Sequence, residues 1–160
     1  MQSINVICVG KLKEKYLRDA EAEYSKRLTA FCKLNIIEIN EFALPDSPSE
    51  AQIRQGLEKE GKAILEKIGD TSYVFALCIE GKQRNSPDFS KEIENLAVSG
   101  HSNITFIIGG SFGLSDEIKQ RANVKLSMSE MTFPHQLARV MLLEQIYRAF
   151  QISSGGKYHK

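Results

Sequence analysis

The sequence predicts an α/β domain on a mostly parallel sheet with helices on both faces. Three observations carry this. Short runs rich in β-branched residues alternate with longer amphipathic stretches along all 160 residues. The first, third and fourth strand-like runs are apolar at nearly every position, as strands buried beneath helices require. No repeat, low-complexity tract or Pro/Gly/Ser-rich linker divides the chain.

The elements follow in order. INVICVG (4–10), apolar apart from Asn5, predicts a buried first strand, followed by an amphipathic helix over 13–32. LNIIEIN (34–40) predicts the second strand. FALPDSPS holds two prolines, which break the pattern, and ends in Ser49, a hydroxyl suited to cap a charged helix over 50–68. SYVFALCI (72–79) is the third strand, EGKQRNS the turn after it, and Ser86 with Pro87 has the cap-then-proline order that opens a helix to about residue 99. NITFIIGG (103–110) is a fourth strand ending in two glycines. A short helix follows, capped by Ser115, with Asp116 and Glu117 complementing its dipole. VKLSMS (124–129) is the fifth strand, and the last helix runs from Pro134 to about Ile152. Ligands of such sheets lie outside the carboxyl ends of the strands, which directs attention to EGKQRNS, GGSFGLS and MSEMTFPHQ.

Composition narrows the function classes. With 42% apolar residues the chain can fill one core. No apolar run reaches 18 residues, and the N-terminal apolar stretch precedes its lysines, the reverse of a signal peptide, so a cytoplasmic protein without membrane insertion is expected. Cys8, Cys32 and Cys78 are scattered and lack metal-ligand spacing, so neither disulfides nor a zinc site is expected. The net charge of +1 divides into +3 over residues 1–36, −4 over 37–70, −1 over 71–134 and +3 over 135–160. Such a chain is no general polyanion binder. A local nucleic-acid contact at its basic ends, completed by a second subunit, stays compatible with the charge.

Two stretches stand out. IIGGSFGLS joins an apolar strand to a helix through Gly109, Gly110 and Gly113, where backbone amides can approach a ligand closely. The spacing is not GxGxxG, so a tight structural turn and a ligand loop both fit. The last helix is apolar over almost half its circumference, from Ala138 to Phe150, and Arg139 falls inside that arc. A second subunit could cover so broad an arc, and the arginine needs either a buried partner or a ligand anion. Glu144 and Arg148 stand four apart on the opposite face, where a surface pair contributes a few tenths of a kcal/mol. His101, His135 and His159 form no triad or metal cluster by spacing.

ALCIEGKQRNS, FIIGGSFGL, and LSMSEMTFPHQLARVMLLEQIYRAFQI followed by YHK resemble the RlmH family. These are SPOUT-type methyltransferases acting on N3 of a pseudouridine in bacterial 23S rRNA. VGKLKEKYL and EYSKRL resemble it more loosely, so the likeness spans the whole chain. The resemblance implies one domain over 1–160, with a deep trefoil knot over about 72–152, a flexible catalytic tail over 153–160, and a homodimer. It implies S-adenosylmethionine as cofactor, held by Leu77, Gly109, Met128, Ser129, Glu130, Met131, Thr132 and Phe133. It implies no metal and no membrane, and as partner 23S rRNA in the large ribosomal subunit or assembled ribosome. On the substrate side it implies Arg148 as an anion stabiliser, His159 as a base or phosphate ligand, and Tyr158 as a stacking or positioning group. The tail of one subunit is expected to close over the cofactor of the other. Two other readings share features with the chain: a nucleotide-dependent oxidoreductase on a Rossmann-like sheet has the alternation, and a non-catalytic ribosome-associated RNA-binding module has the basic ends.

Overall fold

A computed structural model describes residues 1–160. The elements are β1 (Ser3–Val9), α1 (Lys15–Leu28), β2 (Lys33–Ile39), α2 (Glu50–Lys67), β3 (Tyr73–Lys82), α3 (Ser86–Val98), β4 (Asn103–Ile108), α4 (Asp116–Arg121), β5 (Val124–Leu126) and α5 (His135–Ser153). All strand pairs are parallel, in the order β2-β1-β4-β3-β5. No helix is long and apolar enough to cross a membrane.

The apolar runs resolve into two cores because successive strand residues point to opposite faces. On one face Ile4, Val6 and Cys8 of β1 pack with Phe75, Phe106 and Leu142, Leu143 and Ile146 of α5. On the other, Ile7 and Val9 pack with Val74, Ala76, Ile107, Ile64 of α2 and Ile118 of α4. Phe75 stacks on Phe106 with centroids 4.8 Å apart, and Phe89 of α3 meets both edge-on. These rings tie α3 to the middle of the sheet.

Local signals set most helix starts. Ser49 forms a capping box with Gln52, and Ser115 accepts from the Ile118 amide. The α3 cap differs from expectation: Asn85 Oδ1 accepts from Asp88 N at 2.8 Å, and Ser86 is already helical. The amide side chain one residue earlier reaches the free amide, while the Ser86 hydroxyl donates to Gln145 of α5. β4 stops at Ile108 and β5 at Leu126, short of the expected 110 and 129. The residues so released form loops at the carboxyl edge.

The wide apolar arc of α5 is covered within the chain. α5 packs against α1, α3 and β4, so the arc by itself does not call for a second subunit. Arg139 finds buried partners rather than a ligand anion. It is 1% exposed, and its Nη1 donates to Glu38 at 2.8 Å and Glu21 at 3.1 Å while Nη2 donates to Gly10 O at 3.0 Å. Burial disfavours its charge, but nearby Cys8, Glu38 and Glu21 outweigh that and hold its pKa above the usual value. One guanidinium thus joins α5 to α1, β2 and the end of β1.

Candidate active site

The second half of β3, from Leu77 to Glu80, and the loops after β4 and β5 surround a cavity of about 930 Å³ at the carboxyl edge of the sheet. Gly113 closes the β4 loop at φ +83°, with its amide donating to Gly110 O at 3.0 Å. Gly109 lies so close to the Gly113 carbonyl that a Cβ there would collide with it. The loop after β5 is organised by its own serines. The buried Ser127 hydroxyl donates to Ser129 O at 3.0 Å, and Ser129 Oγ accepts from Met131 N at 3.0 Å.

Of the eight positions expected to hold a cofactor, Leu77, Gly109, Met128, Ser129, Met131, Thr132 and Phe133 line this one cavity. Glu130 does not; it is exposed and lies outside the lining. Cys78, Lys119 and His135 also line the cavity; Cys78 and Lys119 carried no signal beyond residue type in the sequence, and His135 only its place in MSEMTFPHQ. Lys119 pairs with Glu80 at 2.7 Å and holds that carboxyl below its usual pKa. Burial pushes the Cys78 thiol up, keeping it protonated at neutral pH.

The three residues expected on the substrate side gather elsewhere, around Glu144 on α5. Glu144 Oε1 accepts from Arg148 Nε at 2.9 Å, Arg148 Nη2 at 2.6 Å and Tyr158 Oη at 3.1 Å. The tail folds back so that Tyr158 lies edge-on to Tyr147, with the Arg148 guanidinium 4.7 Å from the Tyr158 ring centroid. Glu144 and Arg148 are therefore partly buried members of a network, not the solvated pair that their spacing suggested. Burial, with Tyr24 and the Glu144 carboxylate beside it, pushes the Tyr158 phenol up to about 12. Tyr158 is thus a hydrogen-bond donor and not a base.

His159 Nδ1 lies 3.0 Å from Arg148 Nη1. A guanidinium has no acceptor, so Nδ1 must accept and the ring must be neutral, with its proton on Nε2. In this arrangement His159 offers a donor at Nε2, and its basic nitrogen is occupied. None of Arg148, Tyr158 or His159 lines the cavity of its own chain.

An all-parallel α/β domain, with a glycine turn and a serine-ordered loop around one cavity at the strand ends, matches a known class. The family described as "Predicted SPOUT methyltransferase" matches residues 2–159, and the chain belongs to it. Proteins named "Ribosomal RNA large subunit methyltransferase H" from Clostridium perfringens (strain 13 / Type A), Leuconostoc mesenteroides and Lactobacillus delbrueckii subsp. bulgaricus are 58%, 55% and 52% identical to it over 158 residues, 99% of each chain. A solved structure, "a probable methylase family protein from Haemophilus influenzae Rd KW20", superposes with a TM-score of 0.54 at 11% identity. It covers 98% of this chain and 70% of that one, a likeness of fold alone.

Proposed function

We propose that the chain is an S-adenosylmethionine-dependent methyltransferase that modifies N3 of a pseudouridine in 23S rRNA, acting in the cytoplasm as a homodimer on the large subunit or assembled ribosome. One observation carries the cofactor assignment: seven of the eight expected positions, scattered over residues 77–133, converge on a single cavity. The relatives' names carry the RNA class. A knot over about 72–152 belongs to the same reading.

The lining suits this cofactor. Leu77, Met128 and Phe133 offer apolar surface for adenine, and the backbone of 128–133 offers hydrogen bonds for its edge and the ribose. When bound, S-adenosylmethionine supplies a methyl group on a strong sulfonium leaving group. The protein's work is to align the pyrimidine nitrogen and manage one imide proton. If Arg148 turns from His159, one movement frees both groups: Nδ1 can take the N3 proton and the guanidinium can stabilise the imide anion. In the docked tail the Nε2–H can instead hold a phosphate. The tail residues lie outside their own cavity, which favours delivery to a partner's site. Exposed Leu137 and the neighbouring Met141 on α5 offer apolar surface for that partner.

Protein incubated with tritiated S-adenosylmethionine and ribosomes lacking the modification is expected to label 23S rRNA at one pseudouridine. Absence of label from protein shown to bind the cofactor overturns the activity. Sedimentation should give twice the 18.0 kDa chain mass; a monomer at assay concentration overturns the dimer.

A further inference from the structure

The cavity has a second half that the eight positions leave unassigned. Gly110, Ser111 and His135 bound it, where the chain leaves β4 and enters α5. On the β3 side Glu80 and Lys119 already satisfy one another. Two ionisable groups near the other end stand unengaged: His135, which lines the cavity at the start of α5, and Glu41, an exposed residue of the loop after β2 that lies outside the lining. Gln136 accepts from the Lys13 amide and Glu60 from the Phe42 amide, whereas no hydrogen bond or ion pair within the chain engages the His135 ring or the Glu41 carboxylate.

Gly10 brings these two groups to one gap. A methyl built on it would stand 3.8 Å from Glu41 Oε2 and 3.8 Å from His135 Nε2; one built on Gly110, in the cavity wall, would stand 3.8 Å from Glu41 Oε1. Gly10 has φ +90°, a conformation that side chains resist, so the gap stays open. Arg139 Nη2 holds the Gly10 carbonyl at 3.0 Å from within α5, fixing the distance between the β1 end and His135. A donor-capable imidazole and a carboxylate thus flank one space beside a cavity whose other half is apolar.

That pairing complements a zwitterion. We infer that His135 and Glu41 hold the amino-acid arm of S-adenosylmethionine, the imidazole N–H donating to its α-carboxylate and the Glu41 carboxylate accepting from its α-ammonium. The inference rests on the cofactor reading above and adds to it the residues that separate the full cofactor from an adenosine thioether without the arm. His135 and Glu41 bind and orient; neither takes part in methyl transfer.

Calorimetry on the full-length protein with two ligands tests this without turnover. S-adenosylhomocysteine carries the arm, and 5′-methylthioadenosine has a methyl in its place. His135→Ala and Glu41→Ala are each expected to weaken S-adenosylhomocysteine about tenfold and to change 5′-methylthioadenosine less than about twofold. His135→Gln, which keeps an N–H donor, should recover part of the loss. Equal weakening of both ligands shows a merely structural role and overturns the inference, as does unchanged S-adenosylhomocysteine affinity. If the wild type binds neither ligand, the cofactor reading itself fails and the inference falls with it.

Discussion

The cavity and the polar network at the end of α5 use similar residues in opposite ways. Around the cavity, short loops order themselves through backbone and serine contacts and leave apolar side chains and the unengaged His135 ring at its lining. In the network, Arg148 gives Nε and Nη2 to Glu144 and Nη1 to His159, and Tyr158 gives its hydroxyl to the same Glu144. A preformed site binds without reorganising. A self-satisfied network must exchange partners before it can act on a substrate, and each lost internal bond lowers the gain. Under the proposed function, the standing site suits the small cofactor and the adaptable one the large RNA.

The largest effect should come from the residue under the cavity wall. Arg139→Ala leaves Glu21 and Glu38 without their buried cation and is expected to cost about 3–5 kcal/mol in urea unfolding. A loss under about 1 kcal/mol would show that water already screens the cluster. Deleting Lys157–Lys160 should lower methyl transfer at least about 100-fold while leaving cofactor affinity within about threefold. If affinity collapses instead, the tail belongs to the cofactor site and the contrast between the two regions is broken. Gly109→Ala drives a methyl into the Gly113 carbonyl, so the loop must open, and cofactor affinity should fall roughly tenfold, read by calorimetry. Tyr158→Phe removes one donor from Glu144 and should loosen the tail by about 1 kcal/mol, seen as roughly fivefold faster amide exchange over 157–160. Unchanged exchange would mean that packing on Tyr147 holds the tail alone.

A further effect is a pH dependence beneath Arg139. Burial pushes the Cys8 thiol up to about 12 from a model-peptide value of 9.0. The folded state therefore keeps a proton that the unfolded chain releases first, so this contribution is complete below pH 9 and declines as pH rises toward about 12. Urea unfolding at about pH 8 and pH 10 should show a steeper decline for the wild type than for Cys8→Ala. Equal slopes would remove Cys8 from the account.

Most of the fold was legible because parallel strands under two helical layers must be apolar at nearly every position, and INVICVG and NITFIIGG are, apart from Asn5, Asn103 and Thr105. Caps at Ser49 and Ser115 were legible because capping needs only neighbours a few residues away. The cavity was legible through its glycines and the long MSEMTF resemblance. Glu41 was not: it lies 94 residues before His135 in a loop without pattern, and only the positive φ of Gly10 lets them face one gap.

The amino-acid order by itself determined the alternation of elements, where helices begin, and the family to which the chain belongs, because each is written in local periodicity or in contiguous motifs. Tertiary structure alone decided the rest. It set the strand order, which returns β4 to lie between β1 and β3. It gave Arg139 carboxylate partners from α1 and β2 instead of a ligand, and it gathered Glu144, Arg148, Tyr158 and His159 away from the cavity of their own chain. Those outcomes depend on contacts between residues as much as 118 positions apart, whose pairing no local pattern records.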